Sequence, residues 1–418
     1  MKRFLFITIA VAVVAGVIAF GYYLRFLGQG GGGAGGTGGT LPTSTGAGVR
    51  QPTGGTPNIG QSSSTISGTL AVVGGSTTIL DYFVGAGGAV TAVGLDGSVI
   101  QLDGAQQPVT LSPTTVSGAN AASFSADGQG VLVVGGESRA LFFSAYDIPR
   151  RAWTRLPTST IAAVWSPISR TVAYLVTTSV GSALTTLDLG SPAAKPVELL
   201  PTHQQDLLLQ WPSANRILLV DRGNSRTAGS VWSFELSTKT LTPLILDQPG
   251  LATLWNPLGH GLVLKNGGRT TGGVLGLISG WLGSTQQLNF LTLPSKCVFQ
   301  TIFSSSTATG TVPLTTTTTK RSVAAITTTN SSSVREFIDC AVPSDSEALD
   351  TNRLPDAYDE MALLTEDNLY QINLGDGNTT AIPGGSAARI DAVQLKIFGG
   401  RLYFINRYDR KLYSVPLL

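Results

Sequence analysis

The sequence contains few charged residues, few histidines and few cysteines. Asp, Glu, Lys and Arg make up 12% of its 418 residues, about half the ~25% of a typical soluble domain. Two histidines and two cysteines, with no histidine near either cysteine, do not provide the ligands of a zinc site. The motifs His-Glu-x-x-His, Gly-x-Ser-x-Gly and Asp-x-Asp-x-Asp-Gly are all missing. We therefore expect no metal, no cofactor and no catalytic residues.

The chain also has no excess of positive charge. Four of its 27 Lys and Arg residues precede residue 65, whereas all 25 Asp and Glu residues follow it, which leaves a net charge of −2 beyond that point. Nucleic-acid-binding proteins usually present a basic face to the phosphate backbone. We therefore expect no nucleic-acid partner.

A short phrase returns at nearly constant spacing: an aromatic residue ends an apolar run, a tight turn follows, and a second apolar run begins. The four copies are FSADG at Phe124, WSPIS at Trp165, WPSAN at Trp211 and WNPLG at Trp255, separated by 41, 46 and 44 residues. A period of about 40–50 residues with four short strands is typical of a β-propeller blade. Helical periodicity is absent after residue 65.

The spacing predicts an all-β, seven-bladed β-propeller, although six or eight blades also fit because two blocks are irregular. The predicted blades begin near Thr78, Gly118, Ile161, Asp206, Leu251, Lys296 and Ile390. The last blade contains only three strands before the sequence stops at Leu418. We expect a strand from Thr65–Val73 to complete it and close the ring, which would remove an exposed sheet edge.

The first 64 residues differ from the rest. Lys2 and Arg3 precede an apolar stretch from Phe4 to Leu24, long enough to cross a bilayer as a helix, and their charge predicts a cytoplasmic N-terminus. We predict a signal anchor within residues 1–27, a flexible Gly/Thr/Ser/Pro linker at 28–64 and an extracytoplasmic propeller at 65–418. A cleaved signal peptide and a secreted propeller are the alternative.

The Trp-Ser-Pro repeat followed by an apolar strand resembles the WD-like and TolB-like bacterial β-propellers. The chain also resembles uncharacterised single-pass propeller proteins of the bacterial envelope. The phrases that carry this second resemblance are LSPTTVSG at 111–118, KCVFQ with DCAVP around the two cysteines, and FINRYDRKLYSVPL near the C-terminus. The resemblance implies a membrane-anchored, seven-bladed ectodomain and no particular activity. TolB-like propellers serve as docking platforms for proteins, which favours binding by analogy alone.

The two cysteines lie at the same phase of two apolar runs that we expect to be adjacent strands of the sixth blade. In an exported protein, Cys297 and Cys340 would form a disulfide. A pair of buried free thiols is the alternative. We expect the disulfide to fasten the base of a Ser/Thr-rich insertion, residues 304–333, in the first turn of that blade.

An acidic stretch follows the second cysteine, with ten carboxylates between Asp339 and Asp376 opposed only by Arg353. Such a stretch usually forms a solvated acidic face, and calcium binding by Asp345, Glu347 and Asp350 is an alternative without a recognisable loop spacing. Docking of a basic partner is a further interpretation. The candidate acidic docking patch consists of Asp345, Glu347, Asp350, Asp356, Asp359 and Glu360.

The repeated aromatics could be imagined as a sugar-binding array, but their position at the ends of buried strands favours packing between blades. We therefore assign Phe124, Trp165, Trp211 and Trp255 to the core of the blade repeat. Trp153 and Trp281 lie outside the repeat phase and are, by exclusion, the better candidates for a ligand surface. His203 and His260 lie near blade turns, and we interpret them as structural or surface residues.

These observations predict a non-catalytic, protein-binding scaffold in the cell envelope, with an envelope protein as its partner. One alternative is a propeller hydrolase or lyase acting on cell-wall or extracellular glycans, which would need carboxylates converging at the central channel. The other is an architectural subunit of a secretion or adhesion apparatus.

Overall fold

A computed structural model describes residues 69–417, apart from 103–106, 138–139, 222, 306–331 and 384–388. The predicted signal anchor and linker lie outside the described residues, as does most of the predicted insertion. Within the described part of the chain, no helix is both long enough and apolar enough to cross a membrane.

The third blade shows why this sequence forms strands. It consists of β10 (Thr160–Trp165), β11 (Thr171–Thr178), β12 (Gly181–Asp188) and β13 (Val197–Thr202). The middle of β11 is a continuous apolar run buried on both faces, whereas β13 is mostly exposed or half-buried. A strand covered by neighbouring sheets on both sides needs apolar residues at successive positions, and an outer strand does not.

The described residues form seven four-stranded antiparallel sheets, and six of them are continuous in sequence. The strands of the first two blades are β2 (Ile79–Val84), β3 (Val90–Gly94), β4 (Val99–Leu102), β5 (Val109–Thr110), β6 (Ala119–Phe124), β7 (Gly130–Gly135), β8 (Phe142–Asp147) and β9 (Ala152–Arg155). Those of the fourth and fifth blades are β14 (Leu207–Ser213), β15 (Arg216–Asp221), β16 (Ala228–Glu235), β17 (Thr240–Pro249), β18 (Ala252–Trp255), β19 (Gly261–Lys265), β20 (Val274–Ile278) and β21 (Thr285–Gln287). The sixth blade comprises β22 (Cys297–Ser305), β23 (Ser332–Pro343), β24 (Asp367–Asn373) and β25 (Thr379–Ile382).

The seventh blade is completed by the start of the domain. Its strands are β26 (Ala392–Phe398), β27 (Arg401–Asn406) and β28 (Leu412–Pro416), and β1 (Ala71–Val73) pairs with β28 in the register Ala71↔Ser414. The predicted seven blades and their closure by an N-terminal strand are confirmed, and counts of six and eight blades are excluded. Each blade begins within two residues of its predicted start.

The hydrophobic core is divided among the seven interfaces between neighbouring blades. The cluster between the third and fourth blades, for example, packs Leu175 and Leu184 against Ile217 and Phe234. Ile405 and Leu412 of the seventh blade pack against the first blade and close the ring. Several first strands also lie near the first strand of the next blade, as β2 does with β6, β10 with β14 and β22 with β26. The fold is therefore stabilised by contacts that run all the way round.

The structure modifies two predictions for the sixth blade. Strands β22 and β23 pair from Cys297↔Cys340 to Ser305↔Ser332, so the ladder extends two residues into each end of the predicted insertion. The disulfide between Cys297 and Cys340 is present, which confirms the predicted pair. However, it lies at the far end of this ladder from residues 306–331, and it does not fasten the base of the insertion.

Candidate functional site

The segment 344–366, which joins β23 to β24, forms an ordered cap on one face of the propeller; we call it the acidic cap. It contains two short helices, α1 (Glu347–Asp350) and α2 (Asp356–Asp359). Leu349, Leu354 and Tyr358 are buried in the cluster between the fifth and sixth blades. Three inward-facing residues therefore anchor a segment that is otherwise rich in acidic residues.

Hydrogen bonds fasten the acidic cap to three other blades. In the fourth blade, the backbone N–H and hydroxyl of Ser225 donate to the Asp356 carboxylate at 3.1 Å and 2.6 Å. In the fifth, Gly272 N–H donates to the Asn352 carbonyl at 2.8 Å. In the seventh, Arg407 Nη2 donates to the Tyr358 carbonyl at 2.9 Å. These contacts all involve loops between second and third strands, which share one face of the ring.

The outer surface of the acidic cap is negatively charged. Of the predicted patch, Asp345, Glu347, Asp350, Asp359 and Glu360 are exposed, while Asp356 is half-buried against Ser225. A cleft of about 410 Å³ lies between the cap and the loop that contains Gly223 and Asn224; Asp356, Asp359 and Glu360 line it. Carboxylates on a fixed backbone can attract basic side chains without the cost of ordering that backbone.

The calcium interpretation of this segment gains no support. Among the described residues, no three His, Cys, Asp or Glu side chains converge in a way that could hold a metal ion. One oxygen of Asp345 instead accepts the backbone N–H of Glu347 at 2.9 Å, as a helix-start residue does.

Two carboxylates of the predicted acidic face are buried, which corrects the interpretation of the whole stretch as solvated. One is Asp367, which forms an ion pair with Lys296. The Nζ atom of Lys296 lies 2.7 Å from Asp367 Oδ2 and 2.5 Å from Oδ1 of a second buried aspartate, Asp391. Burial raises the pKa of Asp367, and the charge of Lys296 offsets part of that rise. Tyr358, Thr365 and Arg407 complete this network beneath the cap.

The other buried carboxylate is Asp339 on β23, directly opposite Gln371 on β24. Neither of its oxygens has a hydrogen-bond partner among the described residues. Burial raises its pKa to about 7, and the nearby Gln371 acts less strongly in the opposite direction. A residue of the stretch predicted to face solvent is therefore buried, and burial favours its protonated form.

The repeated aromatic residues lie at the interfaces between blades. Trp165 and Trp255 are each 6% exposed, and Phe124 and Trp211 are half-buried. Trp165 Nε1 donates to the Ser123 carbonyl of the preceding blade at 3.1 Å. The aromatic position at the end of a blade's first strand therefore places a ring between successive sheets.

The two aromatics suggested for a ligand surface are half-buried and contact other side chains of the protein. Trp281 stacks on Trp255 with ring centroids 5.6 Å apart, and the Arg216 guanidinium lies 4.9 Å from the Trp281 centroid. Trp153 lies 4.8 Å from the ring of Tyr146. Trp281 also lines a cleft of about 300 Å³ beside Trp255.

The histidines also have protein partners. His203 Nδ1 lies 3.2 Å from the Val180 carbonyl. His260 Nε2 lies 3.4 Å from Glu336 Oε2, and Asn256 Nδ2 donates to the other oxygen of that carboxylate at 3.0 Å. His260 and Glu336 line a cleft of about 590 Å³ on the face opposite the acidic cap.

Several solved structures share the propeller fold. TolB from Acinetobacter baumannii is 18% identical, with 48% of this chain and 52% of that chain covered and a TM-score of 0.34. The tricorn protease is 11% identical, with 86% of this chain and 35% of that chain covered and a TM-score of 0.47. The propeller domain of the Trilobed protease from Pyrococcus furiosus is 12% identical, with 66% of this chain and 74% of that chain covered and a TM-score of 0.37.

The chain spans about half of the TolB structure and about a third of the tricorn protease. No family model and no curated protein matches the chain. At these identities the likenesses concern the fold alone.

Proposed function

We propose that this protein is a membrane-anchored, extracytoplasmic propeller that binds a protein partner without catalysing a reaction, and that the acidic cap is its docking surface. The observation that carries the proposal is the construction of the cap. Leu349, Leu354 and Tyr358 are buried, and hydrogen bonds fasten the cap to three other blades, while six of its carboxylates are exposed.

The charge of the cap defines the kind of partner. Like charges held together at a surface repel one another, and a basic partner would relieve that repulsion. Complementary charges chiefly accelerate association and make it depend on salt. The partner is therefore an envelope protein with a basic surface.

Two features support an extracytoplasmic propeller. The apolar stretch from Phe4 to Leu24 follows Lys2 and Arg3, as in a signal anchor with a cytoplasmic N-terminus. The disulfide between Cys297 and Cys340 also supports an extracytoplasmic location of the propeller, because disulfides persist mainly in oxidising compartments.

The test is crosslinking of the full-length, anchored protein in living cells, followed by identification of the captured proteins. Two variants are compared with the wild type. The first neutralises the cap by Glu347→Gln, Asp350→Asn and Glu360→Gln. The matched control neutralises three exposed acids elsewhere, by Glu137→Gln, Glu198→Gln and Asp206→Asn.

The proposal predicts that one basic envelope protein is captured repeatedly with the wild type and with the control variant. The amount captured with the cap variant should be at least tenfold lower. Equal capture by the two variants would reject the cap as the docking surface. Capture of glycan alone would instead favour the hydrolase or lyase. Recovery in fixed stoichiometry with a secretion or adhesion complex would favour the architectural subunit.

A further inference from the structure

The buried network beneath the acidic cap has the composition and geometry of a site for amide bond formation. Lys296 precedes the first strand of the sixth blade, and Asp391 precedes the first strand of the seventh. Both side chains are 0% exposed, and Nζ of Lys296 lies 2.5 Å from Oδ1 of Asp391. Since a carboxylate C–O bond is short, Nζ is within roughly 3.7 Å of the Asp391 carboxyl carbon.

We propose that Lys296 and Asp391 become covalently joined by an intramolecular isopeptide bond, with Asp367 as the group that accepts and returns the proton. The bond joins Nζ of Lys296 to Cγ of Asp391. Of the three protons of the lysine ammonium, one stays on the amide nitrogen, and two leave with one oxygen of Asp391 as water. Nothing is oxidised or reduced, and no co-reactant is needed.

The surroundings supply what this reaction requires. An ammonium cannot attack, and Asp367 Oδ2, 2.7 Å from Nζ, is placed to take its proton. Burial raises the pKa of Asp367, which makes this carboxylate a stronger base than an exposed one. The Thr365 hydroxyl lies 2.9 Å from Asp367 Oδ1 and 3.2 Å from Asp391 Oδ1, so it can relay the proton to the departing oxygen.

The other oxygen of Asp391 has donors for the negative charge that develops during attack. Thr365 N–H donates to Oδ2 at 3.1 Å, and Arg407 Nη1 lies 3.4 Å from it. Such prearranged donors in a buried site are the usual means of stabilising a tetrahedral intermediate. The fold holds nucleophile, acceptor and base together before the reaction, which removes most of its entropic cost.

Bond formation also improves the electrostatics of the interior. Before the reaction, the network contains two cations, Lys296 and Arg407, and two anions, Asp367 and Asp391. The amide replaces one cation and one anion by a neutral group, and a balanced pair remains. Since each fully buried charge carries a desolvation penalty, removing two of them favours the product.

The experiment is peptide mapping by mass spectrometry of the full-length protein after reduction and denaturation. The expected result is one crosslinked species that contains Lys296 and Asp391, lighter than the two separate peptides by one water. It should also resist tryptic cleavage at Lys296. The pair Lys396–Asp81 is an internal control: its Nζ–Oδ1 distance is 2.7 Å and it also bridges two blades, but Lys396 is 37% exposed. That pair should remain unlinked.

Asp367→Asn keeps both reacting residues and removes the base, so it should leave Lys296 and Asp391 unlinked. Recovery of these residues in separate wild-type peptides of unmodified mass would overturn the proposal. A link from Lys296 to Asp367 would overturn the assignment of Asp391 as the acceptor. Because the wild-type map decides the main question, the test does not depend on a variant that folds.

Discussion

At the scale of single residues, Asp339 makes folding dependent on pH. Its pKa is raised to about 7 by burial, whereas an aspartate in an unfolded chain titrates near 3.9. The folded state therefore binds the proton more tightly, and this stabilising contribution is complete below about pH 4 and lost as the pH rises to about 7. Other buried acids titrate as well, so the contribution must be isolated by substitution.

Asp339→Asn keeps the shape of the side chain and removes its charge. We expect the variant to match the wild type near pH 4 and to exceed it at pH 8 by up to about 4 kcal/mol of unfolding free energy. Denaturant unfolding at both pH values measures this difference. Glu198→Gln, at an exposed position, should change neither value, and a less stable Asp339→Asn at pH 8 would contradict the account.

At the scale of elements, the acidic cap depends on one polar anchor more than on its two short helices. The side chain of Asp356 accepts the Ser225 backbone N–H and hydroxyl across 131 residues of sequence. Helices of four residues are too short to be stable alone, so this anchor and the buried Leu349, Leu354 and Tyr358 hold the cap.

Asp356→Ala removes the anchor and leaves the Ser225 donors unsatisfied. A hydrogen bond to a charged group contributes about 1.5–3 kcal/mol, so we expect amide exchange in residues 344–366 to accelerate roughly tenfold to a hundredfold. Hydrogen exchange measured along the chain would show this locally, with the blades unchanged. Asp376→Ala, in the exposed turn after β24, is the control. Unchanged exchange in the cap would mean that apolar burial and its other two hydrogen bonds hold it without Asp356.

At the scale of the whole molecule, the ring depends on a three-residue strand. Without β1, the outer edge of β28 would be open, and unpaired edges promote association between chains. A chain that begins at Gly75 should therefore unfold at a lower temperature and form oligomers, whereas one that begins at Thr65 should remain monomeric. Size-exclusion chromatography and thermal unfolding compare the two. A stable monomer from Gly75 would show that packing of the seventh blade suffices for closure.

The sequence predicted the blades well because each one is built locally. Strands pair with their neighbours in sequence, and the apolar run, the aromatic residue and the turn recur in four successive blades at intervals of 41, 46 and 44 residues. The pairing of Cys297 with Cys340 followed from the same logic, since both lie at one phase of adjacent strands. The prediction that this disulfide lies at the base of the insertion was wrong. The strand ladder continues beyond the cysteines as far as Ser305 and Ser332, and no pattern in the Ser/Thr-rich sequence shows where it ends.

The sequence by itself determined the all-β propeller, its closing strand and the adjacency of the two cysteine-bearing strands, because these depend on short-range pattern and register. It favoured seven blades and a disulfide, and the tertiary structure decided both against six or eight blades and free thiols. Only the tertiary structure decided which acids of one stretch face solvent and which are buried. It also decided that Lys296, Asp367 and Asp391 meet beneath the cap. The physical reason is that burial at these positions is imposed by loops from several blades, and no local pattern records which distant loops will meet.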